Sequence, residues 1–284
     1  VADDGQASTQ SSTWSFTTQT EDDIPPMIQQ VTVDPSPTAE AGEPVVITAN
    51  VTDDNSLGDV RLVLTYPDDS TRNFSILQNV SGIDETTYYC QQSYLVLGNY
   101  TFHIYAEDDI GNVNTSAELS FTVEDTMPPT FSNLAATPTV AHYNGAVNLS
   151  SQINDDVVVE DVFLKIIYPD DEITNTSIYT QVIDNDTYYS QTTYTMLGTY
   201  EYAFYAVDGE GNSNTSSTQA FRIKDMTPPE VTLTAPNGGE NITGETDVTW
   251  NASDIATAND SELTVSLKYS PDGGVSWQSI VADT

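Results

Sequence analysis

Acidic residues recur beside double prolines, and their chemistry is that of cation binding. The runs EDDIPP, EDTMPP and KDMTPP begin at residues 21, 124 and 224, and further acids follow in VTDDNSLGD and AEDDIGN. Calcium takes about six to eight oxygen ligands, which clustered carboxylates and backbone carbonyls can supply. The candidate calcium ligands are Asp125 and Asp225, each three residues before its double proline. The sequence favours a solvated acidic face without metal over a calcium site, because no strict D-x-D-x-D-G loop is present.

Residue types that catalyse hydrolysis occur without the arrangement that catalysis needs. The two histidines, His103 and His142, have no Cys, His or Glu at metal-ligand spacing. No serine is singled out by a positioned base. With 43 acidic residues, carboxylate pairs are unavoidable and carry no information on their own. We predict that the chain is not an enzyme.

The segment SPDGGVSW (270–277) matches the S-x-D-x-G-x-S-W pattern of the Asp-box hairpins in sialidase propellers. Such a hairpin would use Asp272 to cap the turn and Gly273 and Gly274 at positive φ, with Trp277 packed beneath. Sialidases also need several boxes and an arginine cluster, whereas this chain has one box and three scattered arginines. The pattern therefore predicts a turn and not an active site.

Twelve N-x-S/T triplets are candidate glycosylation sites. Their asparagines are Asn50, Asn73, Asn79, Asn99, Asn114, Asn148, Asn175, Asn185, Asn214, Asn241, Asn251 and Asn259. Asn50 and Asn148 are expected to face outward on equivalent strands, as an attached glycan requires. Chance occurrence in a chain rich in Thr, Ser and Asn is the alternative for part of the set.

These residues lie within an internal repeat. The double prolines begin at 25, 128 and 228, so the spacings are 103 and 100 residues. VRLVLTYPDD (60–69) matches VFLKIIYPDD (162–171), and TYYCQQSYLVLGNY (87–100) matches TYYSQTTYTMLGTY (187–200). The only cysteine, Cys90, aligns with Ser190, so the antibody-like string TYYCQQSY cannot provide an intrachain disulfide.

Apolar and polar residues alternate with period two within each repeat, which predicts half-buried strands. In VVITANV the inward residues are Val45, Ile47, Ala49 and Val51, and in NYTFHIYAED the same phase begins at Tyr100. About seven such runs per repeat and no helical period predict an all-β protein built from antiparallel two-sheet sandwiches.

Two short motifs resemble features of immunoglobulin-like folds. LGNY and LGTY resemble the tyrosine corner, in which Gly98 and Gly198 permit a tight turn and the hydroxyls of Tyr100 and Tyr200 bond upstream. An ordinary core tyrosine is the alternative. The pattern Y-x-A-x-D-x-x-G-N followed by F-x-x-x-D-x-x-P-P resembles the immunoglobulin-like repeats of large bacterial and archaeal cell-surface proteins. The resemblance implies tandem immunoglobulin-like antiparallel β-sandwich domains.

The last segment resembles a different immunoglobulin-like module, found in prokaryotic surface and fungal cell-wall proteins. Its marks are Pro236, Gly238, Gly239, Trp250 and Trp277. We predict four parts: 1–24 as the closing strands of a preceding domain, 25–125 and 126–225 as full repeats, and 226–284 as the first part of a further domain. Either the natural protein continues, or residues 1–24 of one molecule complete the last domain of the next by strand addition.

The net charge of −37, with three lysines and three arginines, argues against a nucleic-acid partner, which needs clustered basic residues. The same charge is repelled by an anionic membrane surface. No apolar stretch reaches the roughly 18–20 residues of a membrane span, and no signal peptide begins the sequence. Such acidity suits an exterior bathed in salt or divalent cations.

We therefore expect a non-enzymatic extracellular array of β-sandwich domains in a cell-surface or filamentous protein. Its partners would be neighbouring domains or subunits. No cofactor is expected, and calcium is the only candidate. The alternative is an adhesin that binds glycan or a partner protein through loops or exposed aromatic residues. A cluster of exposed rings on one face favours the adhesin, and a smooth, acidic, glycosylated surface favours the scaffold.

Overall fold

The computed structural model describes residues 2–3, 8–9, 13–15, 22–77, 86–184, 186–254 and 263–281. The chain divides into two units, Val1–Thr126 and Met127–Thr284, and each is considered by itself. All regular secondary structure in the described residues is β-strand. The protein is all-β, as its alternation of apolar and polar residues predicts.

Unit 1 contains repeat 1, a sandwich of two sheets. Its strands are β1 (Ala2–Asp3), β2 (Ser8–Thr9), β3 (Met27–Asp34), β4 (Thr38–Glu40), β5 (Pro44–Thr52), β6 (Leu57–Thr65), β7 (Thr71–Ser75), β8 (Thr87–Ser93), β9 (Gly98–Asp108), β10 (Val113–Thr115) and β11 (Leu119–Glu124). One sheet has the order β3-β5-β8, and the other has the order β4-β11-β9-β6-β7 with β10 beside β9. Only β4 and β11 pair in parallel within these two sheets; the chain switches sheets between β3 and β4.

Unit 2 contains repeat 2 and the last segment. Its strands are β12 (Thr130–Thr137), β13 (Val140–His142), β14 (Ala146–Asn154), β15 (Val159–Ile167), β16 (Ile173–Ser177), β17 (Val182–Ile183), β18 (Thr187–Thr193), β19 (Gly198–Asp208), β20 (Ser213–Thr215), β21 (Gln219–Lys224), β22 (Glu230–Ala235), β23 (Thr249–Ser253), β24 (Leu267–Tyr269) and β25 (Gln278–Val281). The order β12-β14-β18-β17 opposes β13-β21-β19-β15-β16, the arrangement of repeat 1 with one short strand added.

The core of each repeat is formed by the inward half of every long strand. In β5 the side chains of Val45, Ile47, Ala49 and Val51 are buried, as predicted, and the residues between them are half-buried. Residues from both sheets of repeat 2 form one continuous hydrophobic cluster. The tandem immunoglobulin-like sandwich fold is therefore confirmed, with short strands such as β10 in addition to the seven expected runs.

The tyrosine corner is confirmed in both repeats. The Tyr100 hydroxyl donates to the carbonyl of Val96 at 2.8 Å, and the Tyr200 hydroxyl donates to the carbonyl of Met196 at 3.1 Å. Both rings are fully buried. The Tyr200 ring stacks on that of Phe221 with centroids 4.9 Å apart, which gives the pair energy beyond simple burial.

The glycine of each corner is required for two reasons. Gly98 has φ +128° and Gly198 has φ +136°, values that residues with a side chain rarely adopt. A Cβ atom on Gly98 would lie 2.9 Å from Cβ of Pro67, and one on Gly198 would lie 2.7 Å from Cβ of Pro169. The LGxY and YPDD motifs therefore pack against each other, with the glycine of the first in contact with the proline of the second.

The last segment forms two separate ladders, β22 with β23 and β24 with β25. No described side chain between 230 and 280 is buried, and Trp250 is only half-buried. The expectation for Trp277 is wrong: its side chain is 62% exposed, because no second layer covers the β24–β25 hairpin in the described residues. Trp14 is 87% exposed, and Phe16 lies outside the described residues.

Replacing Tyr200 by Phe should lower the free energy of unfolding of unit 2 by about 1 kcal/mol, the usual net value of one hydrogen bond. Tyr194→Phe is the matched control. Its ring also lies in the core, but its hydroxyl is buried and has no hydrogen-bond partner within the described chain. Its removal should leave stability unchanged or raise it. Denaturant unfolding followed by circular dichroism compares the two, and equal losses would contradict the corner.

Candidate metal centre

The end of β9 carries a carboxylate that organises the following turn. Asp108 is 2% exposed, and its Oδ1 accepts the backbone N–H groups of Ile110, Gly111 and Asn112 at 2.7–3.0 Å. Its Oδ2 accepts the side-chain amide of Asn112 at 2.7 Å. Burial alone would raise the pKa of Asp108, but these hydrogen bonds hold it below its ordinary value. The carboxylate is therefore ionised within the fold.

The same turn fixes the double-proline segment that enters the repeat. The Asn112 side chain donates to the backbone carbonyl of Asp22 at 3.1 Å, and that of Asn114 donates to the carbonyl of Pro26 at 2.8 Å. In unit 2 the Asn214 side chain donates to the carbonyl of Pro129 at 3.0 Å. In unit 1 the D-x-x-G-N turn thus positions Asp22, the acid that precedes the first double proline.

Three carboxylates of unit 1 converge at this point. Oxygens of Asp22, Asp53 and Asp54 all lie within 4.8 Å of one another. Oδ1 of Asp22 accepts the N–H of Ile24, and Oδ1 of Asp53 accepts that of Asn55. The Oδ2 atoms of Asp22 and Asp53 are shielded from solvent, with no hydrogen-bond partner in the residues that the structure describes. Each thus keeps an oxygen for another ligand.

The electrostatics of this cluster favour a bound cation. The pKa of Asp53 is raised, first by burial and then by the charges of Asp22, Asp54 and Asp108, against a lowering by its bond to Asn55. Like charges at this distance repel unless an opposite charge lies between them. Hard oxygen ligands of this kind suit calcium, with waters or carbonyls supplying the remaining positions.

Unit 2 has a related pair at the equivalent strand ends. Asp155 follows β14, Asp208 ends β19, and their carboxylate oxygens lie within 4.8 Å. Asp208 is fully buried; its Oδ1 accepts the N–H groups of Glu210 and Asn212, and its Oδ2 has no hydrogen-bond partner among the described residues. Burial, followed by the charges of Asp208 and Asp156, raises the pKa of Asp155.

The two acids predicted as calcium ligands belong to different units. Asp125 is 6% exposed and directly follows β11. Asp225 accepts the N–H of Thr227 at 2.9 Å, and this bond, with a hydrogen bond to Asp254, holds the pKa of Asp225 below its ordinary value. Calcium binding at either residue stays a prediction.

Sequence reasoning did not single out Asp53 as a partner of Asp22, or Asp254 as a partner of Asp225. The signal was present, because both follow the second long strand after a double proline. Asp108 lies in the acidic run AEDDIGN, whose chemistry predicts cation binding, and Asp208 holds the equivalent position of repeat 2 in the motif Y-x-A-x-D-x-x-G-N. The repeat alignment could therefore have yielded the sets of acids, although only the fold brings them together.

The glycosylation candidates differ in accessibility. Asn73, Asn99, Asn175, Asn214, Asn241 and Asn251 are exposed, and Asn50, Asn114 and Asn148 are half-buried; Asn79, Asn185 and Asn259 lie outside the described residues. The amide of Asn50 donates to Oγ1 of Thr86 at 2.7 Å, and Oδ1 of Asn148 is shielded from solvent. The two sites expected first are thus less open than Asn73 or Asn175, and modification remains a prediction at all twelve.

The Asp-box segment forms the predicted turn. Asp272 accepts the backbone N–H of Ser276 at 2.7 Å and its hydroxyl at 2.5 Å. These bonds lower the pKa of Asp272 to about 2. Gly273 and Gly274 have φ +72° and +98°. The pattern forms a hairpin cap on β24 and β25.

Comparison with known proteins gives no family. No protein-family model and no curated protein matches the sequence. Among solved structures, the fibronectin(III)-like modules of CbhA from Clostridium thermocellum are 18% identical (69% of this chain, 94% of that chain, TM-score 0.27). A tetra-tandem repeat in the extending region of a large adhesion protein is 19% identical (73% of this chain, 52% of that chain, TM-score 0.38). Titin domains z1z2 are 15% identical (75% of this chain, 100% of that chain, TM-score 0.36). The fold assignment therefore rests on the sheet topology.

The described residues contain no helix long and apolar enough to cross a membrane.

Replacing Asp53 by Asn should stabilise metal-free unit 1 by about 1 kcal/mol at pH 7, the scale of one close like-charge contact in water. Because the folded pKa of Asp53 is raised, its ionisation costs stability as the pH rises through that pKa, and the asparagine variant escapes this loss. Thermal unfolding between pH 3 and 7 in a chelator measures the effect.

Glu43→Gln is the control for Asp53→Asn. Glu43 precedes β5, whereas Asp53 follows it, so the control removes one negative charge at the opposite end of the same strand. An equal gain in both variants would mean that the gain comes from net charge alone. With calcium added, Asp53→Asn should become the less stable variant, because a ligand has been removed.

Proposed function

We propose that the chain is a non-enzymatic structural array of immunoglobulin-like domains, exposed on a cell surface or in an extracellular filament and stiffened by calcium. The observation that carries this proposal is that each repeat holds its linkers by side-chain hydrogen bonds. Domains joined by free linkers would need none of these contacts.

The incoming linker is held by the asparagines that follow the D-x-x-G-N turn. Asn114 bonds to the carbonyl of Pro26 in unit 1, and Asn214 bonds to that of Pro129 in unit 2. Both prolines are buried. Proline lacks a backbone N–H and has a fixed φ, so a double proline is a semi-rigid segment with free carbonyls to accept such bonds.

The outgoing linker is held by the parallel strand at the sheet edge. In unit 1 the Glu40 carboxylate accepts the N–H of Thr126 at 2.8 Å and its hydroxyl at 2.7 Å. In unit 2 the equivalent residue is His142, whose Nε2 lies 2.8 Å from Oγ1 of Thr227. Glu40 and His142 thus occupy the same position in their repeats and both bond to the linker threonine, one through a carboxylate and the other through an imidazole. This agreement supports the view that the array needs a fixed linker.

Calcium completes this proposal because the acid clusters adjoin the held linkers. Asp22 lies three residues before a double proline and converges with Asp53 and Asp54. A cation there would tie the linker to the strand end of its repeat. A net charge of −37 also favours an exterior rich in cations, where repulsion between domains is screened.

The adhesin alternative lacks the feature that would favour it. Within each unit, the exposed aromatic side chains of the described residues belong to different strands or turns. They are Trp14, Tyr89, Tyr179, Tyr205, Tyr269 and Trp277. A partner-binding face built on aromatic anchors would concentrate them near its centre.

Calcium should raise the melting temperature more than magnesium or sodium does at equal ionic strength. When the free calcium concentration is 100 times the dissociation constant of a site, binding at that site adds about 2.7 kcal/mol to the free energy of unfolding. Magnesium is the control cation, because it prefers a smaller octahedral shell and retains water. An equal response to all three ions would leave only screening and refute specific sites.

The stiffening itself is tested by small-angle X-ray scattering. Calcium should narrow the distribution of particle sizes, and the Asp53→Asn, Asp155→Asn double variant should keep the broader distribution of the chelator-treated protein. A narrow distribution without calcium would instead show that the hydrogen-bonded linkers suffice.

A further inference from the structure

The outer face of the six-stranded sheet in repeat 2 contains a cavity of about 430 Å³. It is open to solvent and lies on the opposite side of the sheet from the hydrophobic core. Its walls come from four strands, β15, β16, β19 and β20. The lining residues are Phe163, Lys165, Asn175, Ala203, Tyr205 and Thr215.

The register of the strands explains the shape of this cavity. Phe163 lies opposite Tyr205, and their ring centroids are 6.1 Å apart with planes tilted by 43°. In the adjacent row, Lys165 lies between Ala203 on one side and Asn175 on the other. The rings of Phe163 and Tyr205 therefore stand next to the small side chain of Ala203, and this difference in size creates the depression.

The lining combines flat apolar surface with a few polar groups at the rim. Aromatic rings offer a face to C–H bonds, while the Lys165 ammonium, the Asn175 amide and the Thr215 hydroxyl can donate hydrogen bonds. Mostly apolar walls with a small number of convergent polar groups are typical of sites for small organic ligands. A pyranose has this dual character, because its C–H face is apolar and its edge carries hydroxyls.

We propose that this cavity binds the first sugars of an N-linked glycan attached to Asn175. Asn175 begins the triplet Asn175-Thr176-Ser177, its side chain is exposed, and it forms part of the cavity wall. A sugar on its Nδ2 would therefore emerge beside the rings of Phe163 and Tyr205. The covalent link provides a high effective concentration, so a weak ring contact is enough to keep the sugar in place.

Repeat 1 provides an internal comparison, because it has an N-x-S triplet at the equivalent position with different side chains around it. Asn73 is equivalent to Asn175, but Arg61 replaces Phe163 and His103 replaces Ala203. The Arg61 guanidinium lies over the Tyr105 ring, 5.3 Å from its centroid. That ring face is already covered, so a glycan on Asn73 has no equivalent place to bind.

This inference rests on the proposed extracellular setting, in which the triplets are glycosylated. The chain is expressed in a eukaryotic secretory host that modifies N-x-S/T triplets, and occupancy of each asparagine is measured by peptide mass spectrometry. The native protein is then treated with a glycan-releasing amidase, and release at Asn175 is timed against release at Asn73 in the same molecules.

Release at Asn175 should be about fivefold slower than at Asn73, the population factor that corresponds to ~1 kcal/mol of ring contact. Tyr205→Thr should accelerate release at Asn175 and leave Asn73 unchanged. Tyr205 lies on the outer face and is 37% exposed, so a β-branched replacement preserves the strand. Tyr105→Thr in repeat 1 is the matched control and should change neither rate.

Three results would overturn the proposal: an unmodified Asn175 when Asn73 is occupied, equal release rates, or a Tyr205→Thr rate equal to that of the wild type. Without the covalent link, the Asn175→Gln variant should bind free chitobiose only weakly; tight binding would also overturn the proposal, because the attachment to Asn175 would then not be needed. Calcium-dependent melting of Asn175→Gln should match the wild type. This measurement separates failure of the glycan contact from failure of the structural array.

Discussion

The linkers and the acid clusters depend on one buried carboxylate in each repeat. It is Asp108 at the end of β9 and Asp208 at the end of β19. Asp108 is buried and ionised because the backbone of its own turn and the Asn112 side chain supply its hydrogen bonds. An unpartnered charge in that position would cost several kcal/mol. The turn is therefore fixed, and the asparagines that it presents can hold the preceding linker. Without Asp108, the turn that places the Asn112 side chain against the carbonyl of Asp22 would lose these hydrogen bonds.

This arrangement brings several carboxylates together at one end of the sandwich. The D-x-x-G-N turn, the strand end at Asp53 and the linker acid Asp22 each have a local reason to be acidic, since each carboxylate accepts backbone N–H groups. Their convergence is a consequence of topology, because β5 and β9 end on the same side of the sandwich. The local hydrogen bonds that stabilise each carboxylate thus bring together charges that repel one another, although the residues are far apart in the sequence. A divalent cation is the simplest way to relieve it while retaining the hydrogen bonds.

The sequence was sufficient for the fold because packing in a sandwich repeats every two residues, and both copies preserve that pattern. The corner at Tyr100 was predictable because it is local in the sequence: Gly98 makes the turn, and the Tyr100 hydroxyl bonds to the carbonyl of Val96, four residues upstream. The partners of the linker acids were not identified, because Asp53 is about 30 residues from Asp22 in the sequence and only the fold joins them. Trp277 was misplaced because burial depends on a covering layer, which a hairpin motif does not encode.

The two repeats differ most where packing does not constrain them. Their inner faces keep the same corner tyrosine and the same buried aspartate, because each removal would leave a cavity or an unpaired buried group. On the outer face, Arg61 and His103 in one copy correspond to Phe163 and Ala203 in the other. One set covers its own tyrosine ring, and the other leaves the ring open beside a depression. Lys165, which also lines the depression, corresponds to Val63 in repeat 1. Outward substitutions therefore reshape this sheet face while the buried positions beneath it keep their apolar pattern.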